Sequence, residues 1–149
     1  MVKILFVCHG NICRSPMAEF VMKDLAEKFG IDAYIASAAT STEEIGNGVH
    51  RGTRQKLAEV GISTDGKYAI QLTKADYAKY DYIIGMDSVN IKRILQIVGE
   101  DKEGKVSKLL SFAGSDKDIA DPWYTGNFDE TYDDVLKGCT GLLKHITEA

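Results

Sequence analysis

Ile4-Leu5-Phe6-Val7-Cys8-His9-Gly10-Asn11-Ile12-Cys13-Arg14-Ser15-Pro16 is the stretch on which the reading of this chain turns. Four apolar residues lead into a cysteine, five residues follow, and then come Arg14, Ser15 and Pro16. The apolar run has the character of a buried strand. Ser15 and Pro16 are residue types of an N-cap and a first helical position, so a helix is expected to start there. Cys8 then sits on a strand-to-helix turn, beside the positive end of a helix dipole. Such a turn binds tetrahedral oxyanions through its backbone N–H groups. The same field favours a thiolate over a thiol, and a thiolate is a nucleophile. Arg14 adds a planar fork of donors suited to phosphate. Blander readings fare worse. An inert buried Cys8 leaves Arg14 and the helix start without a purpose. A zinc site from Cys8, His9 and Cys13 lacks a second ligand pair, because the remaining cysteine, Cys139, lies in an apolar helical stripe. A Walker loop needs Gly-Lys-Ser/Thr, and none follows.

Outward from this turn, the chain alternates strands and helices. Val2 to Val7 is the first strand. A helix from Pro16 to Phe29 carries Met17, Val21 and Leu25 on one face and is closed by Gly30. Ala33 to Ser37 is a second strand, and Val49 to Val60 a helix ended by Gly61. Thr73, with Asp76 three residues on, marks a short helix. Tyr82 to Met86 is the third strand, and Asp87 or Ser88 caps a helix through Val98, closed by Gly99. Val106 to Leu110 is the fourth strand. The last helix shows an apolar stripe of Tyr132, Val135, Cys139, Leu142 and Ile146, with His145 near its end complementing the dipole. This order predicts an α/β fold: a four-stranded parallel doubly wound sheet with helices on both faces and a phosphate-binding loop after strand one. Ligands of such sheets bind at the carboxyl ends of the strands. Cys8, Ser37 and Asp87 fall at those ends, and Asp121 lies in a long connection, Ser111 to Phe128, of a length that points to function.

Composition bounds the rest. The 149 residues show no repeat, linker or low-complexity tract and are read as one domain, 1–149. A net charge of −4 excludes a broad nucleic-acid-binding or polybasic membrane face. No apolar run approaches the ~18 residues of a membrane span. The first strand starts almost at Met1, so no signal peptide is expected. Three cysteines, an odd count, do not make a disulfide framework, and a reducing cytoplasm is the expected location.

The motif Val7-Cys8-His9-Gly10-Asn11-Ile12-Cys13-Arg14-Ser15-Pro16 resembles the signature of low-molecular-weight protein tyrosine phosphatases. The resemblance continues in Ser37-Ala38-Ala39-Thr40-Ser41, in Asp81-Tyr82-Ile83-Ile84-Gly85-Met86-Asp87-Ser88-Val89-Asn90 and in Asp121-Pro122-Trp123-Tyr124, and so spans the chain. It implies hydrolysis of phosphotyrosine and aryl phosphate monoesters through a phosphocysteine, without metal or organic cofactor, releasing inorganic phosphate. Cys8 is then the nucleophile, Arg14 the phosphate ligand, and Asp121 the general acid and later the base. His9, Gly10, Asn11, Ile12, Cys13 and Ser15 surround the phosphate. Ser15 is also expected to donate to the Cys8 sulfur, or simply to cap the helix. Ser37 supports the loop through Asn11. Cys13 is read either as a disulfide partner for oxidised Cys8, sparing it the irreversible sulfinic step, or as a small buried residue. His9 is either a specificity contact or a solvated rim side chain. Trp123 and Tyr124 form a wall that gives Asp121 an apolar flank. The partners implied are phosphotyrosine proteins or peptides, with no nucleic acid and no membrane insertion.

Three departures from the family pattern stand out. Glu43 occupies a wall position that is aromatic in many members, which implies a preference for phosphopeptides with basic flanks. Gly46 to Gly52 lacks the usual Asp-x-Arg. Lys67 replaces a histidine that completes the Asn11 and Ser37 network in many members. Rival functions on related scaffolds are disfavoured. An arsenate reductase needs relay cysteines, and none occurs between Cys13 and Cys139. An arginine phosphatase tends to carry threonine at the Ile12 position, whereas an apolar contact suits a phenyl ring. A phosphocarrier needs no Asp-Pro-aromatic acid.

Overall fold

The computed structural model describes residues 1–148. β1 (Val2–Cys8) is followed by α1 (Arg14–Lys28), β2 (Ala33–Ala39), α2 (Arg51–Glu59) and the short α3 (Asp76–Lys79). Next come β3 (Tyr82–Gly85), α4 (Ser88–Val98), β4 (Val106–Lys108), a 3-10 turn over Leu109–Ala113, α5 (Pro122–Thr125) and the long α6 (Phe128–Glu148). The period-two pleat sends Ile4 and Phe6 to one face of the sheet and Leu5 and Val7 to the other. All four are essentially inaccessible, which is why the run is apolar throughout rather than alternating. Met17, Val21 and Leu142, from α1 and α6, pack on the first face, and Ile94 and Val98, from α4, on the second. Each such side chain contributes about 1.5–3 kcal/mol by leaving water.

The four strands are parallel in the order β2-β1-β3-β4. The chain leaves β1 toward one neighbour and later returns to the other, so the order reverses between β1 and β3. The crevice above their carboxyl ends is the ligand position of a doubly wound sheet, and the Cys8 turn opens into it.

The expected elements are all present, with shifted ends. α1 starts at Arg14, with Cys13 in the cap position, so Ser15 is not the cap and its hydroxyl is free for other work. β2 runs on to Ala39 because Cys8 still pairs with it. β4 stops at Lys108, since its partner β3 ends at Gly85. Ser111 Oγ then donates to the Lys108 carbonyl (2.5 Å), and Leu109 and Leu110 bury themselves in the 3-10 turn instead. Gly138 of α6 seats that turn, as a Cβ there would lie 2.4 Å from Leu109 Cγ. Thr73 does meet Asp76, but as a donor from N–H and Oγ1 (2.8 and 3.2 Å), while Ala75 holds the cap position of α3. Asp87, not Ser88, caps α4, in a reciprocal capping box with Asn90. No described helix is long and apolar enough to cross a membrane.

Candidate active site

Residues 9–13 form the turn that links β1 to α1. The carbonyls of Cys8, His9 and Ile12 accept from the N–H groups of Thr40 (3.0 Å), Ser41 (3.0 Å) and His50 (2.8 Å), and that of Cys13 from Met17 (3.2 Å). These bonds occupy four of the loop's carbonyls. Its donors remain: the backbone N–H groups of Gly10, Asn11, Ile12 and Cys13 have no acceptor among the described residues. Unpaired buried N–H groups are rare in folded proteins and ask for a ligand. Asn11 makes the turn possible. Its φ is 59°, the one positive value at a non-glycine position among the described residues, and asparagine is a residue type that tolerates it. A Cβ at Gly10 would meet Glu44 Cγ at 3.4 Å, an ordinary contact, so nothing in the protein itself demands glycine there.

The Asn11 side chain ties the turn down. Its Nδ2 donates to Ser15 Oγ (2.8 Å) and Ser37 Oγ (2.9 Å), and its Oδ1 accepts from Ile70 N–H (3.1 Å). Because Ser15 Oγ accepts from Asn11, its proton is available to Cys8 Sγ, 3.0 Å away. The Ser15 N–H also donates to that sulfur at 3.4 Å. Ser37 Oγ in turn donates to Glu19 Oε1 (2.5 Å). Glu19, buried on α1, is held by Lys23 at 2.5 Å and Lys67 at 3.6 Å, and Lys67 also donates to the Ser37 carbonyl at 2.8 Å. The lysine thus closes the network that the resemblance assigned to a histidine. Burial pushes its pKa down despite the neighbouring Glu19 carboxylate. Burial, helped by the charge of Cys8, pushes the Cys13 thiol up to about 12, so Cys13 is a protonated thiol beneath the loop.

Arg14 is only 3% exposed. Its Nη1 donates to Asp87 Oδ2 (2.7 Å) and to the Ile119 carbonyl (2.9 Å), while Nη2 lies 3.5 Å from Asp121 Oδ2. Burial would lower its pKa, but Cys8, Asp87 and Asp121 outweigh that and raise it. Its Nε–H is buried and without an acceptor among the described residues. One end of the guanidinium is therefore clamped, and the Nε edge is left over. Asp121 caps α5, with Oδ1 accepting from the Trp123 N–H at 3.1 Å. That leaves Oδ2 toward the pocket. Cys8, Arg14 and Asp121 line one cavity of about 110 Å³ together with His9, Ile12 and Glu43, and Trp123 and Tyr124 stand at its rim. Water occupies about 30 Å³ per molecule, so the space suits a small oxyanion.

The rim is more open than the sequence suggested. Trp123 is 57% and Tyr124 84% exposed, so the expected apolar flank does not enclose Asp121. His9 is engaged rather than free, with Nε2 3.0 Å from Glu43 Oε2. Asp118 is committed elsewhere: its Oδ1 accepts from the Ser88 N–H and from Lys108, both at 3.0 Å. Among the described residues no group of three or more His, Cys, Asp or Glu side chains is arranged to hold a metal ion. Sequence reasoning missed Glu19 and the hold of Asp87 on Arg14. The signal for Glu19 was a carboxylate four residues after Ser15, on the same helix face.

A profile of the family described as low molecular weight phosphotyrosine protein phosphatase matches residues 3–149. The chain is 43% identical over 151 residues to the low molecular weight protein-tyrosine-phosphatase YfkJ of Bacillus subtilis, covering 98% of this chain and 96% of that protein. The crystal structure of YfkJ superposes with a TM-score of 0.93 over 99% of this chain and 96% of that one. Identity to the low molecular weight protein-tyrosine-phosphatase PtpA of Staphylococcus aureus is 37% over 150 residues, covering 99% and 96% of the two chains. The crystal structure of SP-PTP, a low molecular weight protein tyrosine phosphatase from Streptococcus pyogenes, is 42% identical with a TM-score of 0.88, over 97% of this chain and 93% of that one.

Proposed function

This chain belongs to the low-molecular-weight protein-tyrosine-phosphatase family, and from that premise we propose that it hydrolyses phosphotyrosine through a phosphocysteine on Cys8. Arg14 binds the phosphoryl oxygens and Asp121 moves the proton. What supports this most is the set of donors without acceptors among the described residues, four N–H groups of the Cys8 loop and Arg14 Nε–H, on a loop whose buried Cys8 shares one cavity with Arg14 and Asp121. The Cys8 thiolate attacks phosphorus in line, and the bond from phosphorus to the phenolic oxygen breaks. The loop donors and Arg14 hold the three equatorial oxygens, where charge must be stabilised. Tyrosine leaves as a phenolate with a pKa of about 10 unless it takes a proton, which protonated Asp121 supplies. The resulting carboxylate then removes a proton from water. That water attacks phosphorus, the phosphorus–sulfur bond breaks, and inorganic phosphate leaves with Cys8 again a thiolate. Ser15, held by Asn11, stabilises the sulfur in both states. A reducing, cytoplasmic setting suits a free Cys8. The whole chain acts as a single domain.

The substrate ring is expected to lie against Ile12, which offers an apolar contact at the pocket wall. Ile12 itself offers a phosphoarginine guanidinium no polar partner. Phosphate release from matched phosphotyrosine, phosphoserine and phosphoarginine peptides, with a chelator present, tests the reading. Phosphotyrosine should be hydrolysed fastest and the chelator should change nothing. Faster release from phosphoarginine would overturn the assignment. Asp121→Asn should lower kcat/KM by ~10²–10⁴-fold for poor leaving groups. The loss should shrink for aryl phosphates whose leaving groups have lower pKa values.

Glu43 and Glu44 line the same mouth. Peptides with Lys or Arg beside the phosphotyrosine should therefore bind better than neutral ones. Glu43 is exposed, so the gain is that of a surface ion pair, no more than about five-fold in KM and screened by salt. Glu43→Gln should remove that preference while leaving neutral peptides unchanged. A preference that survives in high salt and in Glu43→Gln would place the specificity elsewhere.

A further inference from the structure

Asp121 is carried by an exposed connection. Of the α5 residues only Pro122 is buried. Something must fix the carboxyl group over the phosphate loop, because a displacement of about 1 Å costs ~10²-fold in such a step. Upstream the connection is tied by Arg14 to the Ile119 carbonyl and by the Ile119 N–H to the Met86 carbonyl (2.9 Å). Downstream of Asp121 the tie is made by rings. The Trp123 ring meets the His50 ring edge-on (5.5 Å between centroids, 77°), and the His50 ring also stacks with Phe128, the first residue of α6 (5.4 Å, 17°).

His50 is itself fastened to the nucleophile's loop. Its N–H donates to the Ile12 carbonyl at 2.8 Å. Its Nδ1 accepts from the Gly52 N–H at 3.0 Å, which caps α2 and fixes the plane of the ring. Gly52 completes the seat. A Cβ there would lie 2.2–2.6 Å from three carbons of the Phe128 ring, so Phe128 rests directly on the glycine backbone. His50 thus stands where the Cys8 loop, the start of α2, the Asp121 connection and the start of α6 meet. Neither the proton transfer nor the phosphate cradle uses it.

We propose that His50 is a positioning residue that sets the Asp121 carboxyl over the phosphate loop, through its ring contact with Trp123, braced by Phe128 on Gly52. The inference rests on the reading of Asp121 as the proton donor. It makes His50 more than a helix cap. Its ring, not its acceptor nitrogen, carries the effect on the reaction.

Two substitutions separate ring from cap. His50→Asn keeps an acceptor for the Gly52 N–H, since asparagine is a good cap, but removes the ring. His50→Phe keeps a ring and removes the acceptor. Both would be measured as kcat/KM over a series of aryl phosphates of graded leaving-group pKa, with Asp121→Asn alongside. His50→Asn should lose ~10–100-fold on the poorest leaving groups and less than ~3-fold on the most activated, a part of the acid's full worth. Its dependence on leaving-group pKa should steepen, and competitive inhibition by inorganic phosphate should stay within ~2-fold of wild type. His50→Phe should restore the wild-type slope even if it melts earlier. Trp123 is the only tryptophan of the chain, so its fluorescence anisotropy reads the contact directly. It should fall in His50→Asn and hold in His50→Phe. If His50→Asn does not fold, Trp123→Ala takes its place, and the same steepening is expected. A uniform loss across the series, or none, while Asp121→Asn steepens the slope, would overturn the positioning role and leave His50 a cap. An unchanged slope in Asp121→Asn would instead remove the acid assignment, and the inference with it.

Discussion

Replacing Cys8 by serine should leave no measurable turnover of any phosphate monoester, while the protein keeps its fold and its hold on inorganic phosphate. The sulfur is the group that must form the covalent intermediate, and a serine hydroxyl at the same place has no base to ionise it. Its neighbours are Ser15 Oγ at 3.0 Å and the Ser15 N–H at 3.4 Å, both able to donate. Neither accepts a proton well enough to make an alkoxide. The cradle does not depend on the sulfur. Asn11 still bonds Ser15 and Ser37, the carbonyls of Cys8, His9, Ile12 and Cys13 stay engaged, and the Arg14 clamp to Asp87 is untouched. Phosphate binding by calorimetry should therefore persist in Cys8→Ser, with a mass shift of one phosphoryl group on the Cys8 peptide seen only in the quenched wild-type reaction. Turnover above about a hundredth of wild type would place the nucleophile elsewhere. Cys13 would be a poor candidate, because its thiol is pushed up to about 12 by burial and the thiolate is the reactive form.

The loop, the sheet and the order of the elements were legible in the sequence because they depend on neighbours in the chain. An apolar run ending in Cys8 and a proline two residues after Arg14 state a strand, a turn and a helix locally. What was not legible depends on residues far apart. Lys67 is 48 positions from Glu19 (67 minus 19), and only the fold shows that it stands in for the histidine of the resemblance by pairing with the buried Glu19 and donating to the Ser37 carbonyl. The helix start was misplaced because Ser15 is a good cap by type, yet here its hydroxyl serves Cys8 and Asn11. The fourth strand was drawn too long because Leu109 and Leu110 continue an apolar run. Strand length is set by the partner, though, and β3 ends at Gly85. Trp123 and Tyr124 were expected to wall in Asp121 with an apolar flank, but a four-residue helix leaves both of them exposed. Asp118, the acid that would stand next in line to Asp121, is held by Lys108 and the Ser88 N–H. Burial would raise its pKa, but those bonds outweigh this and keep it below the ordinary carboxylate value, so it makes a poor proton donor.

Arg14→Lys should be nearly as damaging as loss of the nucleophile, for a different reason. The guanidinium does two jobs from one plane. At one end Nη1 satisfies Asp87 Oδ2 and the Ile119 carbonyl, which fixes the side chain. At the other, Nε–H is buried with no acceptor among the described residues, and Nη2 reaches only 3.5 Å to Asp121. Two donors on one edge match two oxygens of a phosphoryl group. A lysine ammonium is a compact point charge. Drawn to Asp87, it would stop short of the phosphate; drawn to the phosphate, it would leave Asp87 and the Ile119 carbonyl unpaired. Positive charge is kept in either case, so an effect of charge alone would be small. Arginines that stabilise phosphoryl transfer are worth ~10³–10⁵-fold in kcat, and a loss in that range is expected here. Weaker competitive inhibition by phosphate should accompany it, because the fork holds ground-state oxygens too. The leaving-group slope separates this variant from Asp121→Asn: with the acid in place, Arg14→Lys should lower the whole aryl phosphate series in parallel. A steepened slope would mean that Arg14 acts chiefly by holding Asp121 through the 3.5 Å contact. Activity within ten-fold of wild type would mean that the loop N–H groups and the start of α1 suffice to carry the phosphoryl charge, and that the fork is dispensable.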